Sequence, residues 1–316
     1  MTKRAKLRLG TRGSELARTQ AGTVAQRLSA AGFDVELTII RTAGDRADAV
    51  PFSSIGPQGV FVREIEQALV ARSIDLAVHS FKDLPTTSPA ELTVAAVPAR
   101  FDPADLLLVR PSALARNESE WLPLKQGARV GTASARRRVW LGHFRPDLEI
   151  QSLRGNVPTR IRRLQEGSYD AIVLAAAGVA RLRADDRLGD ALSGLRIVRL
   201  DPERFVPAPA QGALAVQCRR DATDVYDALR ALDDAPSHVA VAAERDALAR
   251  AEGGCDIAFG AYCIVNGAVH ELIAMHERGG AVRTARVRGN DPGALAAQLW
   301  PDFADLEPRS ESEVSA

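Results

Sequence analysis

Three features of this sequence could do chemistry. The run VHSFKDLP (78–85) sets Lys82 and Asp83 directly after an apolar stretch. A carboxylate there would be held on a rigid element and aimed at a ligand; the bland alternative is an Asp that closes a turn before Leu84 and Pro85, with Lys82 solvated. Arginines gather where other apolar runs end: Arg12, the run Arg136-Arg137-Arg138, Arg154 and Arg160. Planar guanidinium groups take carboxylates two-pronged, so several together suit a ligand with many acid groups. Phosphate would fit as well, and most such runs are solvated helix faces. The third feature, AEGGCDIAFGAYC (251–263), presents Cys255 after Gly253 and Gly254. A thiolate is the strongest side-chain nucleophile, yet most free cysteines are inert, which is how Cys218 and Cys263 read.

These residues need elements to place them. KLRLG (6–10) reads as a strand, GTRGS opens a helix that ends at Gly32, DVELTIIRTAGD is extended, GVFVREIEQALVARS is helical, and IDLAVHS is again a strand. Residues 128–178 repeat the plan, with GTASA matching GTRGS, LRGNV matching RTAGD, and YDAIVLAA matching IDLAVHS. Strands alternating with helices imply parallel sheets covered on both faces. The Gly, Thr, Ser and Arg residues fall just past the strands, at the edge where open α/β sheets bind ligands. PERFVPAPAQGALAVQCRRD returns the chain to the first lobe or starts a third. After 222 the pattern becomes helical and then alternates like an antiparallel sheet with turns at NG and GG.

Composition bounds the rest. At 316 residues the chain exceeds one ordinary core. A net charge of +1 gives no strong pull toward nucleic acid or a membrane surface. No apolar run has the length of a signal peptide or a membrane span, so a cytoplasmic protein is expected. Three cysteines without a CxxC pair, and no His at zinc-ligand spacing, argue against a disulfide framework or a structural metal. His79 as a base and His143 as a ligand have no constellation around them, and no Ser-His-Asp order or G-x-S-x-G elbow is visible.

Taken together, GTRGSELARTQA (10–21), GVFVREIEQAL (59–69), DLAVHSFKDLP (75–85), GTASARRR (131–138), SLRGNVPTR (152–160), YDAIVLAAAGVARL (169–182), PAQGALAVQCR (209–219) and EGGCDIAFGAY (252–262) resemble the porphobilinogen deaminase (hydroxymethylbilane synthase) family. The resemblance spans nearly all of residues 7–265 and is weak beyond. It implies an α/β fold of two periplasmic-binding-protein-like lobes with mostly parallel sheets, plus a small C-terminal α+β domain. The expected domains are 1–104, completed by a returning segment at about 201–221; 105–200; and 222–316, which carries the cofactor and ends in a frayed tail. It implies a cytoplasmic, monomeric transferase of tetrapyrrole and haem synthesis that joins four porphobilinogen molecules head to tail, releases ammonia at each step and gives hydroxymethylbilane. Cys255 would hold a dipyrromethane cofactor by a thioether, and Asp83 would be the catalytic carboxylate. Arg12, Ser14, Lys82, Thr132, Ser134, Arg136, Arg137, Arg154, Gly155, Arg160, Arg181 and Gln211 would bind cofactor and substrate, with no metal.

The chain departs from that family at Gln58, where lysine is usual, and at Ala133, where serine is frequent, and each change puts one carboxylate contact in doubt; the loop 47–56, expected to cover the cleft, also lacks a common lysine at Ser54. Two other classes compete. A two-lobed solute receptor would use the same arginines without chemistry, but leaves Asp83 and a cysteine-bearing third domain unexplained. An acyl-transfer enzyme with Cys255 as nucleophile needs a positioned base, for which His270 and His276 are near only in sequence.

Overall fold

The computed structural model describes residues 6–41, 62–115, 121–251, 257–304 and 306. The strands are β1 (Lys6–Thr11), β2 (Asp34–Ile39), β3 (Leu76–Ser80), β4 (Leu92–Ala96), β5 (Asp105–Val109), β6 (Arg129–Gly131), β7 (Glu149–Gln151), β8 (Ala171–Ala175), β9 (Arg196–Arg199), β10 (Leu214–Arg219), β11 (Phe259–Asn266), β12 (Val269–Arg278) and β13 (Ala281–Gly289). The helices are α1 (Glu15–Ala30), α2 (Arg63–Val70), α3 (Ala135–Phe144), α4 (Val157–Gln165), α5 (Ala176–Ala184), α6 (Thr223–Arg230), α7 (Ala235–Arg250) and α8 (Leu295–Leu299).

Two five-stranded sheets share one plan. The first runs β2-β1-β3-β10-β4 and the second β7-β6-β8-β5-β9. In each, the first two pairings are parallel and the last two antiparallel. The α/β class is as the sequence implies, and the sheets are mixed: β5 and β10 come from outside the β-α-β runs, and no crossover helix sets them parallel to β8 and β3. Every residue of β10 is buried, which explains why LAVQCR reads as a nearly continuous run, whereas edge strand β2 has no fully buried residue.

The internal repeat extends to single hydrogen bonds. Arg8 donates its backbone N and Nε to Asp75 Oδ2 (2.9 and 3.0 Å) and Nη2 to the Arg72 carbonyl at 2.7 Å. Arg129 donates the same groups to Asp170 Oδ2 (2.9 and 3.1 Å) and to the Gly167 carbonyl at 3.1 Å. Gly10 and Gly131 hold matching places at the ends of β1 and β6. A Cβ on Gly131 would lie 2.9 Å from Leu153 and Tyr169, and one on Gly10 would strike Ile74. Both glycines are there because the next layer packs directly on the backbone.

By contact density the chain forms two units: Met1–Phe101 with Ala180–Asp185 and Gly212–His238, and Asp102–Val179 with Asp186–Gln211 and Val239–Ala316. Within the first unit, α6 packs through Leu229 and Tyr226 into the core of the first sheet. The meander β11-β12-β13 belongs to the second unit. Its period-two pattern feeds two cores: Leu272 and Ala274 meet α7 and α8, while Ile273 and Met275 join the core of the second sheet. Positive-φ glycines make its two turns, Gly267 at 62° and Gly279–Gly280 at 61° and 81°.

Two glycine substitutions should act with opposite sign. A Cβ at Gly260 would lie 2.7 and 2.9 Å from the Val206 and Pro207 carbonyl oxygens, so Gly260→Ala should cost about 1–3 kcal/mol in urea denaturation. Gly22, inside α1, has open space around it, and Gly22→Ala should add about 0.5–1 kcal/mol. Equal effects would show that the close approach at Gly260 is misassigned.

Candidate active site

In the first unit, the end of β1 and the end of β3 open onto one recess. It is lined by Arg12, Ser14, Gln20, His79, Ser80 and Asp83, with Val62, Ile65 and Val78 as apolar wall. Ser14 caps α1, its hydroxyl accepting from the Ala17 N–H at 3.3 Å. Asp83 ends the single 3₁₀ turn Phe81–Asp83. That turn is nailed down by buried Phe81, whose N–H donates to the Ala213 carbonyl at 3.1 Å, and it leaves the Asp83 carboxylate exposed with Lys82 half-buried beside it. Behind the recess, the Gln20 amide meets Ser80 Oγ at 2.9 Å, and His79 Nε2 meets Gln217 Oε1 at 3.0 Å. Arg181 is also in this unit. It donates Nη2 to the Gly212 carbonyl at 2.8 Å and lies 4.6 Å over Phe101, and burial pushes its guanidinium down to about 10.

In the second unit the arginines of ARRR divide. Arg138 is exposed, whereas Arg136 and Arg137 are buried and share one fully buried carboxylate, Asp105. Arg136 Nη2 donates to Asp105 Oδ2 at 2.8 Å; Arg137 donates Nε and Nη2 to Oδ1 at 3.1 and 2.7 Å. Gln211, itself fully buried, donates to the same Oδ1 at 2.9 Å and to the Pro103 carbonyl at 2.8 Å. Burial alone would raise the Asp105 value, but the two guanidiniums overcome it and hold the carboxyl well below the usual carboxylate range. Two cations on one anion leave an excess positive charge. Arg160 feels it: burial first and the charge of Arg137 second push its guanidinium down to about 10. The Arg136 Nε is buried without a hydrogen-bond partner. Around this cluster Ser134 caps α3 by accepting from the Arg137 N–H at 3.4 Å, Thr132 Oγ1 accepts from the Ser134 N–H at 3.2 Å, and Arg160 Nε donates to the Gly155 carbonyl at 2.6 Å. Gly155 has φ of 108°, which lets the chain turn into the Asn156-capped start of α4.

Residues 7–227 match the family described as porphobilinogen deaminase, dipyromethane cofactor binding domain. The chain belongs to the porphobilinogen deaminase family. A porphobilinogen deaminase of Syntrophobacter fumaroxidans is 41% identical over 300 residues, covering 91% of this chain and 93% of its own. Another, from Roseiflexus castenholzii, is 40% identical over 307 residues, covering 95% and 96%. The residues present fit the cofactor of this family, whose pyrroles carry acetate and propionate groups. An under-neutralised arginine cluster, flanked by hydroxyls that still have an O–H to donate, has the donors that carboxylates require.

The structure thus brings Arg12, Ser14 and Asp83 to one recess, with Lys82 next to Asp83, and gathers Arg136, Arg137 and Gln211 around Asp105. Thr132 and Ser134 lie at the start of α3, and Arg154, Gly155 and Arg160 at the start of α4. Cys255, Gln58 and Ser54 lie outside the described residues; Ala133 is exposed. Cys263 is buried in β11, and burial pushes the Cys218 thiol up to about 11. Among the described residues no His/Cys/Asp/Glu group could hold a metal. Sequence reasoning passed over Asp105 and Gln217. The signal for Asp105 was an acid opening the apolar run DLLLV, a place where a carboxylate needs a cationic partner.

Asp105→Asn keeps the shape and removes the charge that two buried guanidiniums share. It should destabilise the protein by about 3–5 kcal/mol at neutral pH in urea denaturation. Because the folded value of Asp105 lies below its unfolded one, its contribution is complete above about pH 4 and is lost as pH falls toward the folded value. The gap between wild type and variant should therefore narrow below about pH 4; a constant gap would contradict the ion-pair account.

Proposed function

We propose that this chain is a hydroxymethylbilane synthase: it condenses four porphobilinogen molecules head to tail, frees ammonia at each step, and holds its primer covalently on Cys255. The observation that carries the reading is Asp83, an exposed carboxylate on a braced turn, sharing a recess with Arg12 and Ser14. Dipyrromethane, attached through a thioether, supplies the pyrrole end to which the first substrate is joined. Arg12 and Ser14 hold substrate carboxylates, and the cluster around Arg136 and Arg137, with Arg154 and Arg160, holds those of the growing product.

Asp83 faces the charge that develops in the reaction. When the C–N bond of the protonated aminomethyl group breaks, ammonia leaves with the bonding pair and the pyrrole becomes a cationic azafulvene; a preorganised carboxylate stabilises that cation as it forms. The methylene carbon then bonds to the terminal ring of the growing chain, and Asp83 accepts the proton lost from the ring carbon. Water releases the tetrapyrrole at the end. Each condensation adds a pyrrole with two carboxylates, so a protein of net charge +1 accepts the product only through local arginines. The chain acts as a cytoplasmic monomer, as the family resemblance implies; no helix among the described residues is long and apolar enough to cross a membrane.

Intact mass of the denatured protein tests the tether. An adduct of dipyrromethane size should be present in wild type and absent in Cys255→Ser; an unmodified mass with no ammonia release from porphobilinogen would overturn the reading. Asp83→Ala should keep the adduct and lose nearly all product formation, on the order of 10²-fold or more. Full turnover in that variant would move the catalytic carboxylate elsewhere.

A further inference from the structure

His79 stands in the wall of the Asp83 recess, 5% exposed, and belongs to a chain of buried polar groups that the reaction as described does not use. Its Nε2 lies 3.0 Å from Gln217 Oε1. The Gln217 amide is oriented from its other end: Nε2 donates to Glu66 Oε1 at 2.9 Å and to Ser88 Oγ at 3.4 Å. Glu66 is held in place on α2, buried between Ile65 and Leu69, where the helix covers the face of the first sheet that carries Ala77. Gln217 sits opposite Ala77 in the β3–β10 register, so His79, two residues along β3, is its diagonal neighbour on the same face.

This arrangement decides a tautomer. A carboxylate accepts, so the Gln217 nitrogen must face Glu66 and its oxygen must face His79. The His79 Nε2 therefore carries the proton, and Nδ1 is left as a bare acceptor. Burial, partly opposed by the Gln217 bond, pushes the imidazole down to about 4, so the ring is neutral at physiological pH.

We propose that His79 presents its unprotonated Nδ1 to the recess as a hydrogen-bond acceptor for the pyrrole N–H of porphobilinogen, and that Gln217 and Glu66 are positioning residues that fix this tautomer. The inference rests on the function proposed above. Loss of ammonia makes the pyrrole N–H more acidic, so the bond to Nδ1 strengthens in the transition state and acts on kcat rather than KM.

The test uses the full chain in two parts. The first needs no substrate. In the protein labelled with ¹⁵N-histidine, the histidine whose signals vanish in His79→Asn should show a protonated Nε2 and a bare Nδ1, and Gln217→Leu should abolish that preference. A protonated Nδ1 in wild type overturns the proposal. The second part compares two amides. His79→Asn places its amide where Nδ1 stood, and should keep kcat within about threefold of wild type. His79→Gln places its amide where Nε2 stood, and should lower kcat about tenfold or more with KM nearly unchanged. Gln217→Leu should lower kcat in the same direction, and it carries this part if His79→Asn does not fold. Equal kcat for the two amide variants, or wild-type kcat in Gln217→Leu, with melting and covalent adduct intact, overturns the proposal. If wild type makes no hydroxymethylbilane, the function reading fails, and the tautomer result stands or falls separately.

Discussion

A fully buried carboxylate shared by two guanidiniums organises the second unit. Asp105 opens β5, and its two oxygens take Arg136 and Arg137 from the first turn of α3 and Gln211 from the PAQG turn. Three stretches far apart in sequence are thus tied at one point. Such an interaction is costly to assemble, since each ion loses its water, and a hydrophobic replacement of the same volume is often as stable. What a hydrophobic replacement would lack is the surplus positive charge. The cluster is one negative charge short of neutrality, and that surplus positive charge lies beside the helix starts carrying Ser134 and Arg160.

The two units share one frame and differ in the residues it carries. The same strand order, the same Arg–Asp clamp below the first strand and the same glycine above it recur in both. Upon this common frame the first unit adds an exposed carboxylate beside a polar recess, and the second adds buried arginines. Substrate activation calls for an anion that meets a developing cation; product retention calls for cations that meet accumulating carboxylates. One scaffold can carry either kind of site, because the residues at the strand ends change while the buried alternation stays the same.

Much of this was legible from residue patterns. The β-α-β units, the helix starts at GTRGS and GTASA, and the strand character of LAVQCR follow from local periodicity and turn chemistry; that LAVQCR joins the first sheet does not. The arginine run was read with a solvated face as its ordinary meaning. Its first two members are buried because Asp105, some thirty residues earlier, neutralises half their charge, and no local pattern reveals a partner at that distance. His79 read as structural for a similar reason: its role depends on Gln217 and Glu66, which β10 and α2 bring to it through tertiary contacts. The place of α6 was not legible in the same way: it is amphipathic like any surface helix, and its sequence does not say that the first sheet receives its apolar stripe.

In the function proposed, one protein molecule carries its own growing product while local arginines absorb the accumulating charge. This is tested most directly by mixing the protein with porphobilinogen, quenching in acid at intervals and weighing the intact chain. The account predicts a ladder of species above the resting mass, each heavier by one pyrrole unit and ending after four additions. A single unchanging mass during turnover would contradict it, because the product would then be assembled without ever being attached to the chain.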